Sequence, residues 1–210
     1  MIKFKRLLIL GLLLTIFVFI SALSYVEAVS QNIASGVFRL HVIANSDTEV
    51  DQALKLKVRD SLLSYMNSLT ENCTSKEEVI AVAKTHQDDF QKIANQVIAK
   101  NGFDYEATAE IGTSDFPTKY YGDIALPAGT YDALKVKIGK SEGKNWWCVM
   151  FPPLCFVDVS TGIVPEESKQ EMKESLDEEE YDLISKTDNS EIQFKFKLVE
   201  LFQNMRLGMK

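Results

Sequence analysis

The sequence predicts an α+β fold: a mainly antiparallel or mixed sheet, two helices after the first strand packed on one of its faces, and a further helix near the C-terminus. Three observations lead to it. Apolar residues alternate with period two in FRLHVIA from Phe38, recur at helical spacing as far as Lys100, and return to alternation from Tyr105 onward. Gly and Pro are sparse and fall between these periodic segments, which favours one compact unit over linked modules.

In the first strand Phe38, Leu40 and Val42 share one face and Arg39, His41 and Ile43 the other. Asn45, Ser46 and Asp47 then turn the chain, and Ser46-x-x-Glu49 has the capping-box pattern of a helix start. Leu54, Val58 and Leu62 form one stripe of that helix, with Gln52, Lys55 and Arg59 on another. Val79, Ala83, Phe90, Ile93, Ala94 and Val97 define a second helix from about Ser75 to Lys100, with His86 on its buried stripe and Asn101-Gly102 as its stop. Next, Tyr105, Ala107, Ala109 and Ile111 alternate as a strand, and Leu134, Val136 and Ile138 do so between Lys135 and Lys137. Lys140 to Gly143 reads as a hairpin turn into a last strand, NWWCVMF. Near the C-terminus Phe194, Leu198, Leu201 and Met205 have helical spacing, while IQFKFKL alternates as a strand would.

The N-terminus points to export. Lys3, Lys5 and Arg6 precede an apolar run from Leu7 to Ile20, and Val26-Glu27-Ala28 offers a small-x-Ala cleavage pattern. The expectation is a secretory signal cut after Ala28, leaving Val29 as the new N-terminus. No charge occurs between Arg6 and Glu27, so the same segment is also long enough to hold the chain on a bilayer as an uncleaved anchor. In both cases the basic residues stay in the cytoplasm and the remainder is exported. The expected organisation is thus residues 1–28 as signal or anchor, 29–165 as an exported α+β domain, and 166–210 as an acidic segment with a C-terminal helix or strand.

Lys and Arg number 23 against 30 Asp and Glu, a net charge of -7. Nucleic acid is excluded as a partner on this balance, because binding phosphates needs a concentrated basic face. Eleven acidic and three basic residues fall between Glu166 and Glu191, most simply a solvated helix or a mobile linker.

No HExxH, no phosphate-binding glycine loop and no Asp-Thr-Gly of an aspartic peptidase occurs, and nothing signals a cofactor or metal, so the chain is not expected to be an enzyme. Cys148 and Cys155 flank Pro152-Pro153, which is compatible with a structural disulfide or with two reduced thiols, and Cys73 has no sequence partner. Arg39, His41, Asn45, Asp47 and Asp51 gather where the first strand meets the first helix. They have two readings: turn and cap chemistry with Arg39 paired to Asp60 or Asp51, or a recognition surface on a rigid scaffold. A rival class makes the same cluster, with Cys148, a hydrolase site of the cell envelope. A passive structural protein of the cell envelope fits less well, since such chains tend to be repetitive and this one has a well-patterned core.

RLHVIANSDTEVDQALKLKVRD, FPTKYYGDIALPAGTYDA and NWWCVMFPPLCFVD together resemble the stage II sporulation protein R family, in order over roughly Phe38 to Pro165. The resemblance implies a protein made in the forespore and exported into the space between the two membranes of the sporangium. There such proteins are required to activate a membrane-embedded aspartic peptidase of the mother cell, which removes the pro-sequence of sigma-E. The chain would then be a ligand and not the protease. Trp146 and Trp147 point to opposite faces of a strand, so one of them is a candidate anchor for the peptidase's extracytoplasmic loops.

Overall fold

A computed structural model describes residues 2–155 and 164–185. The IQFKFKL segment and the helical spacing around Leu198 lie outside the described residues. The chain opens with α1 (Ile2–Ser35), β1 (Phe38–Ile43) and α2 (Glu49–Thr70), followed by α3 (Lys76–Thr85) and α4 (Gln87–Lys100). It continues through β2 (Ala107–Phe116), β3 (Lys119–Tyr121), β4 (Ile124–Leu126), β5 (Gly129–Ile138) and β6 (Asn145–Phe151) to α5 (Glu166–Ser175) and α6 (Glu178–Ser185). The fold is α+β, as the periodicities predict.

Four strands form one mixed sheet in the order β2-β5-β1-β6, and β3-β4 is a separate two-stranded ribbon. β1 runs parallel to β5 and antiparallel to β6, while β2 and β5 pair antiparallel. Phe38, Leu40, Val42, Leu134, Val136 and Ile138 pack beneath Leu54, Val58, Leu62, Phe90, Ala94 and Ile98 of the helix layer. A second core lies on the opposite face, where Phe116, Tyr131, Ala133 and Val149 meet Ile33 and Val37, the β3-β4 ribbon, and Met172, Leu176 and Ile184. Both faces of β1 are therefore covered, and all its residues but Ile43 are buried.

Three helices, not two, cover the first face. The position that would continue the stripe from Ala83 to Phe90 is taken by polar His86, and the helix divides there. The His86 N–H bonds to the carbonyls of Val82 and Ala83, and its own carbonyl accepts from Asp89 and Phe90 as the next helix starts. Its ring stays at the boundary, 3.0 Å from the Tyr65 hydroxyl and 3.1 Å from Asp89. The expected stop holds: Gly102 has φ 82°.

The expected hairpin between β5 and β6 is not formed. β1 lies between the two strands, so the connection steps across the end of β1. It is tied there by Glu142 N–H to Asn45 O (3.2 Å) and Gly143 N–H to Ala44 O (3.0 Å). Local turn chemistry signals a reversal and carries no information about a third strand inserted between the two partners.

The acidic segment is not a bare solvated helix or linker over its described part. Met172, Leu176 and Ile184 are drawn into the second core while the carboxylates face outward, and Lys169 bridges Asp123 (2.8 Å) and Glu166 (2.9 Å). At the other end, α1 is one continuous helix of two characters. Phe4–Ser21 is apolar, wholly unburied and long enough to cross a membrane by length and composition. Ile33 and Ala34 are buried, and Ser30 donates to the Ala128 carbonyl at 3.1 Å. Ala28 is exposed and Val29 already packs against the second core, so packing onto the sheet begins at the residue expected to follow the cleavage point.

A Cβ added at Gly143 runs into the Ser46 carbonyl and the Ala44 side chain. Gly143→Ala should therefore destabilise the protein by about 1–3 kcal/mol, the usual penalty of overpacking. Thermal or urea unfolding measures it; an unchanged midpoint would show that the crossing is looser than this packing.

Candidate functional site

The turn after β1 serves first as a fastening. Thr48, and not Ser46, caps α2, accepting from Asp51 N–H at 3.4 Å. Ser46 donates instead to Asp51 Oδ2 (2.5 Å), as does Asn45 Nδ2 (2.9 Å), and Tyr105 donates its hydroxyl to Asp51 Oδ1. Burial alone would raise the Asp51 carboxyl, but the hydrogen bonds from Ser46, Tyr105, Asn45 and Thr48 outweigh it and hold the pKa down at about 2. On their outer side Asn45 Oδ1 accepts Lys140 N–H (3.0 Å) and Asp47 Oδ1 accepts Lys144 N–H (2.7 Å). Lys55 completes the junction, bonding Gln52 Oε1 and the Lys144 carbonyl. Asn45, Asp47 and Asp51 thus hold the β5-β6 connection, β1 and α2 together.

Arg39 is paired with neither Asp51 nor Asp60. As an odd-numbered residue of β1 it projects from the face opposite α2, and it is Arg59 that reaches Asp60, at 2.6 Å. Arg39 is fully buried. Its guanidinium carbon lies 3.9 Å from the Phe116 ring centre and 4.6 Å from that of Tyr131, and Nη2 donates to the Tyr121 hydroxyl at 2.7 Å. Nε and Nη1 have no hydrogen-bond partner among the described residues. The cation is held by aromatic faces where a carboxylate would be expected.

His41 lies two residues further along the same face, 7% exposed. Nδ1 is 3.1 Å from Ser114 Oγ and Nε2 is 2.7 Å from Asn145 Oδ1, and the ring stacks on Trp147 with centroids 5.8 Å apart. Burial lowers its pKa, opposed by the Asn145 hydrogen bond and reinforced by the charges of Lys135, Arg39 and Lys137. The neutral ring therefore donates from Nε2 to Asn145 and accepts the Ser114 hydroxyl at Nδ1.

The two tryptophans project to opposite faces. Trp146 packs against the helix-side core with Arg59 4.2 Å over its ring; Trp147 packs against the second core with Lys119 at 4.4 Å. Each ring is half-buried, and each indole nitrogen is enclosed without a hydrogen-bond partner among the described residues. Cys148 and Cys155 are joined in a disulfide, Cα atoms 5.1 Å apart, around the cis Phe151-Pro152 bond. This corrects the hydrolase reading at one point, because Cys148 is oxidised and faces the helix layer, away from His41. Cys73 is free and half-buried. No group of three or more metal-ligating side chains occurs among the described residues.

Ser114, Tyr121 and Asn145 complete these contacts and were not singled out by the sequence. Ser114 and Tyr121 come from strands far along the chain, and no local pattern marks them. Asn145 opens the NWWCVMF strand, and its polarity beside two tryptophans was the one available signal.

The family model described as stage II sporulation protein R matches residues 34–161. The chain belongs to the stage II sporulation protein R family. A relative of that name from Bacillus subtilis (strain 168) is 34% identical over 154 residues, covering 72% of this chain and 69% of the relative. No solved structure matches. The junction at Asp51, the Arg39 and His41 cluster, both tryptophans and the disulfide all fall within the part of the chain matched to the sporulation protein R family, while α5 and α6 lie beyond it.

His41 gives this family member a pH signature. Its folded pKa lies below the ordinary 6.5, so the unfolded chain takes up a proton that the folded chain resists. Its contribution to stability is complete above about pH 6.5 and is lost as the pH falls from there towards the folded value. His41→Gln keeps both hydrogen-bonding ends and removes the titration. Chemical unfolding of the two forms between pH 7.5 and about 5 should show the wild type losing stability relative to the variant; parallel curves would mean that His41 is not held neutral.

Proposed function

We propose that this chain is an exported sporulation signal. On this reading it acts in the space between forespore and mother cell, where it activates the membrane-embedded aspartic peptidase that processes pro-sigma-E. The family match over the strand-and-helix core carries the reading. An apolar helix leading directly into the folded unit supports an extracytoplasmic place, either freed after Ala28 or held at the membrane by α1. A disulfide supports the same compartment, since such bonds persist in oxidising surroundings.

The chain acts as a ligand on a rigid scaffold. Arg39, His41 and Asp51 are buried and set the frame, while Asp47 is exposed and Asn45, Trp146 and Trp147 are half-exposed at one end of the sheet. The peptidase contact is assigned to that end, with a tryptophan as anchor.

One observation favours a second reading. Ser114, His41 and Asn145 form a hydrogen-bonded chain in which the serine hydroxyl faces a neutral imidazole, an arrangement that a hydrolase would need. His41→Ala separates the two: a hydrolytic base should lose nearly all activity, whereas a scaffold residue should weaken signalling in a graded way.

The direct test is reconstitution of the exported chain with the candidate peptidase and its sigma substrate, scoring pro-sequence cleavage. Cleavage should depend on the added chain. Trp146→Ala and Trp147→Ala should each cost about 2–4 kcal/mol of stability, less than a fully enclosed ring, and one of them should lower activation by more than its folded fraction explains. Cleavage by the peptidase alone, unchanged by the chain, would end the proposal.

A further inference from the structure

A groove of about 420 Å³ opens where the C-terminal end of α2 meets the end of β6 and α5. Its floor is apolar, with half-buried Phe151 and Cys73 and exposed Pro153 over the buried Met150. Its rim carries Glu71, Glu171 and Glu174, and no Lys, Arg or His among the described residues lines it. Glu71 stands at the C-cap of α2, a helix with no basic residue in its last turn, so the negative end of the helix dipole adds to the carboxylates. Glu174 accepts a hydrogen bond from Gln170 at 2.9 Å, and no salt bridge among the described residues reaches any of the three. Glu171 feels the crowding: burial, then Glu167 and Glu174, push its carboxyl up.

An apolar floor under an acidic rim that no cation among the described residues meets selects its occupant. Anionic headgroups and phosphates are repelled, and a purely apolar segment would leave the rim charges desolvated without partners. We propose that the groove docks a basic peptide segment of a partner protein, with an aliphatic or aromatic side chain on Phe151 and Pro153 and flanking lysines or arginines at Glu71, Glu171 and Glu174. This rests on the reading of the chain as a protein ligand, and it adds a second contact at the opposite end of β6 from the exposed turn at Asp47.

The full chain in nanodiscs is titrated with a fluorescein-labelled Lys-Lys-Leu-Phe-Lys-Lys peptide, with Lys-Lys-Ser-Ser-Lys-Lys and Glu-Glu-Leu-Phe-Glu-Glu as controls. Saturable binding of the first peptide alone is expected. It should weaken roughly tenfold or more when Glu171→Lys and Glu174→Lys are combined. Asn67→Trp, on an exposed position of α2, fills the groove without touching the core and should weaken binding equally. No binding of the first peptide, equal binding of the serine control, or undiminished binding by both variants overturns the proposal. Reconstituted peptidase activation is scored in parallel. If the wild type activates and the charge-reversed form activates equally, the groove is not an activating contact; if the wild type fails to activate, the signalling reading fails while the titration still reports on the groove.

Discussion

The fold depends on the enclosure of β1 on both faces and both edges. A strand so placed must satisfy its backbone through β5 and β6, and its side chains must be acceptable to two cores at once. Phe38, Leu40 and Val42 meet the helix layer without difficulty. Arg39 and His41 face the other way, and the second core is arranged around them, with Phe116, Tyr131 and Tyr121 about the guanidinium and Ser114, Asn145 and Trp147 about the imidazole. Small Ala133, opposite Arg39 in the register, leaves room for these reaches across β5.

That arrangement explains why the RLHVIANSD stretch carries so many polar residues while presenting so few of them. Its strand half supplies two buried polar side chains, and its turn half supplies the carboxylate and amide that fix α2 and the β5-β6 connection. Asp51 is the centre of the second group: four side chains converge on it, so its negative charge is stabilised with no cation among the described residues in contact. What such a frame holds at its surface is a pair of half-covered tryptophans and an exposed Asp47.

The sequence made some of this legible and hid the rest for physical reasons. Alternation assigned the faces of β1 and β5 correctly, because Phe38, Leu40, Val42, Leu134, Val136 and Ile138 form one continuous apolar surface. Gly102 marked a helix end because a left-handed conformation is cheapest for glycine. Two-sided burial of β1 was not visible, since Arg39 and His41 look like solvent-facing residues until aromatic partners from β2, β3 and β5 are in place. The strand order escaped for the same reason: the loop after β5 has hairpin chemistry, while β1, which separates β5 from β6, was laid down much earlier in the chain. In α5 and α6 the carboxylates outnumber the few apolar side chains, yet Met172, Leu176 and Ile184 are enough to dock both helices.

The two cores also differ in when they can be assembled. The helix-side core draws on Phe38 through Met150, and its helices follow β1 directly, so much of it condenses from neighbouring pieces of chain. The second core joins Ile33 to Ile184, which brings the first and last described helices against one sheet face. Until residues near Ile184 have arrived, the parts of β4 and α1 that α6 packs against stand uncovered. A chain shortened before α6 thus leaves the apolar side of β4 and of the end of α1 open to proteases and to other unfinished chains.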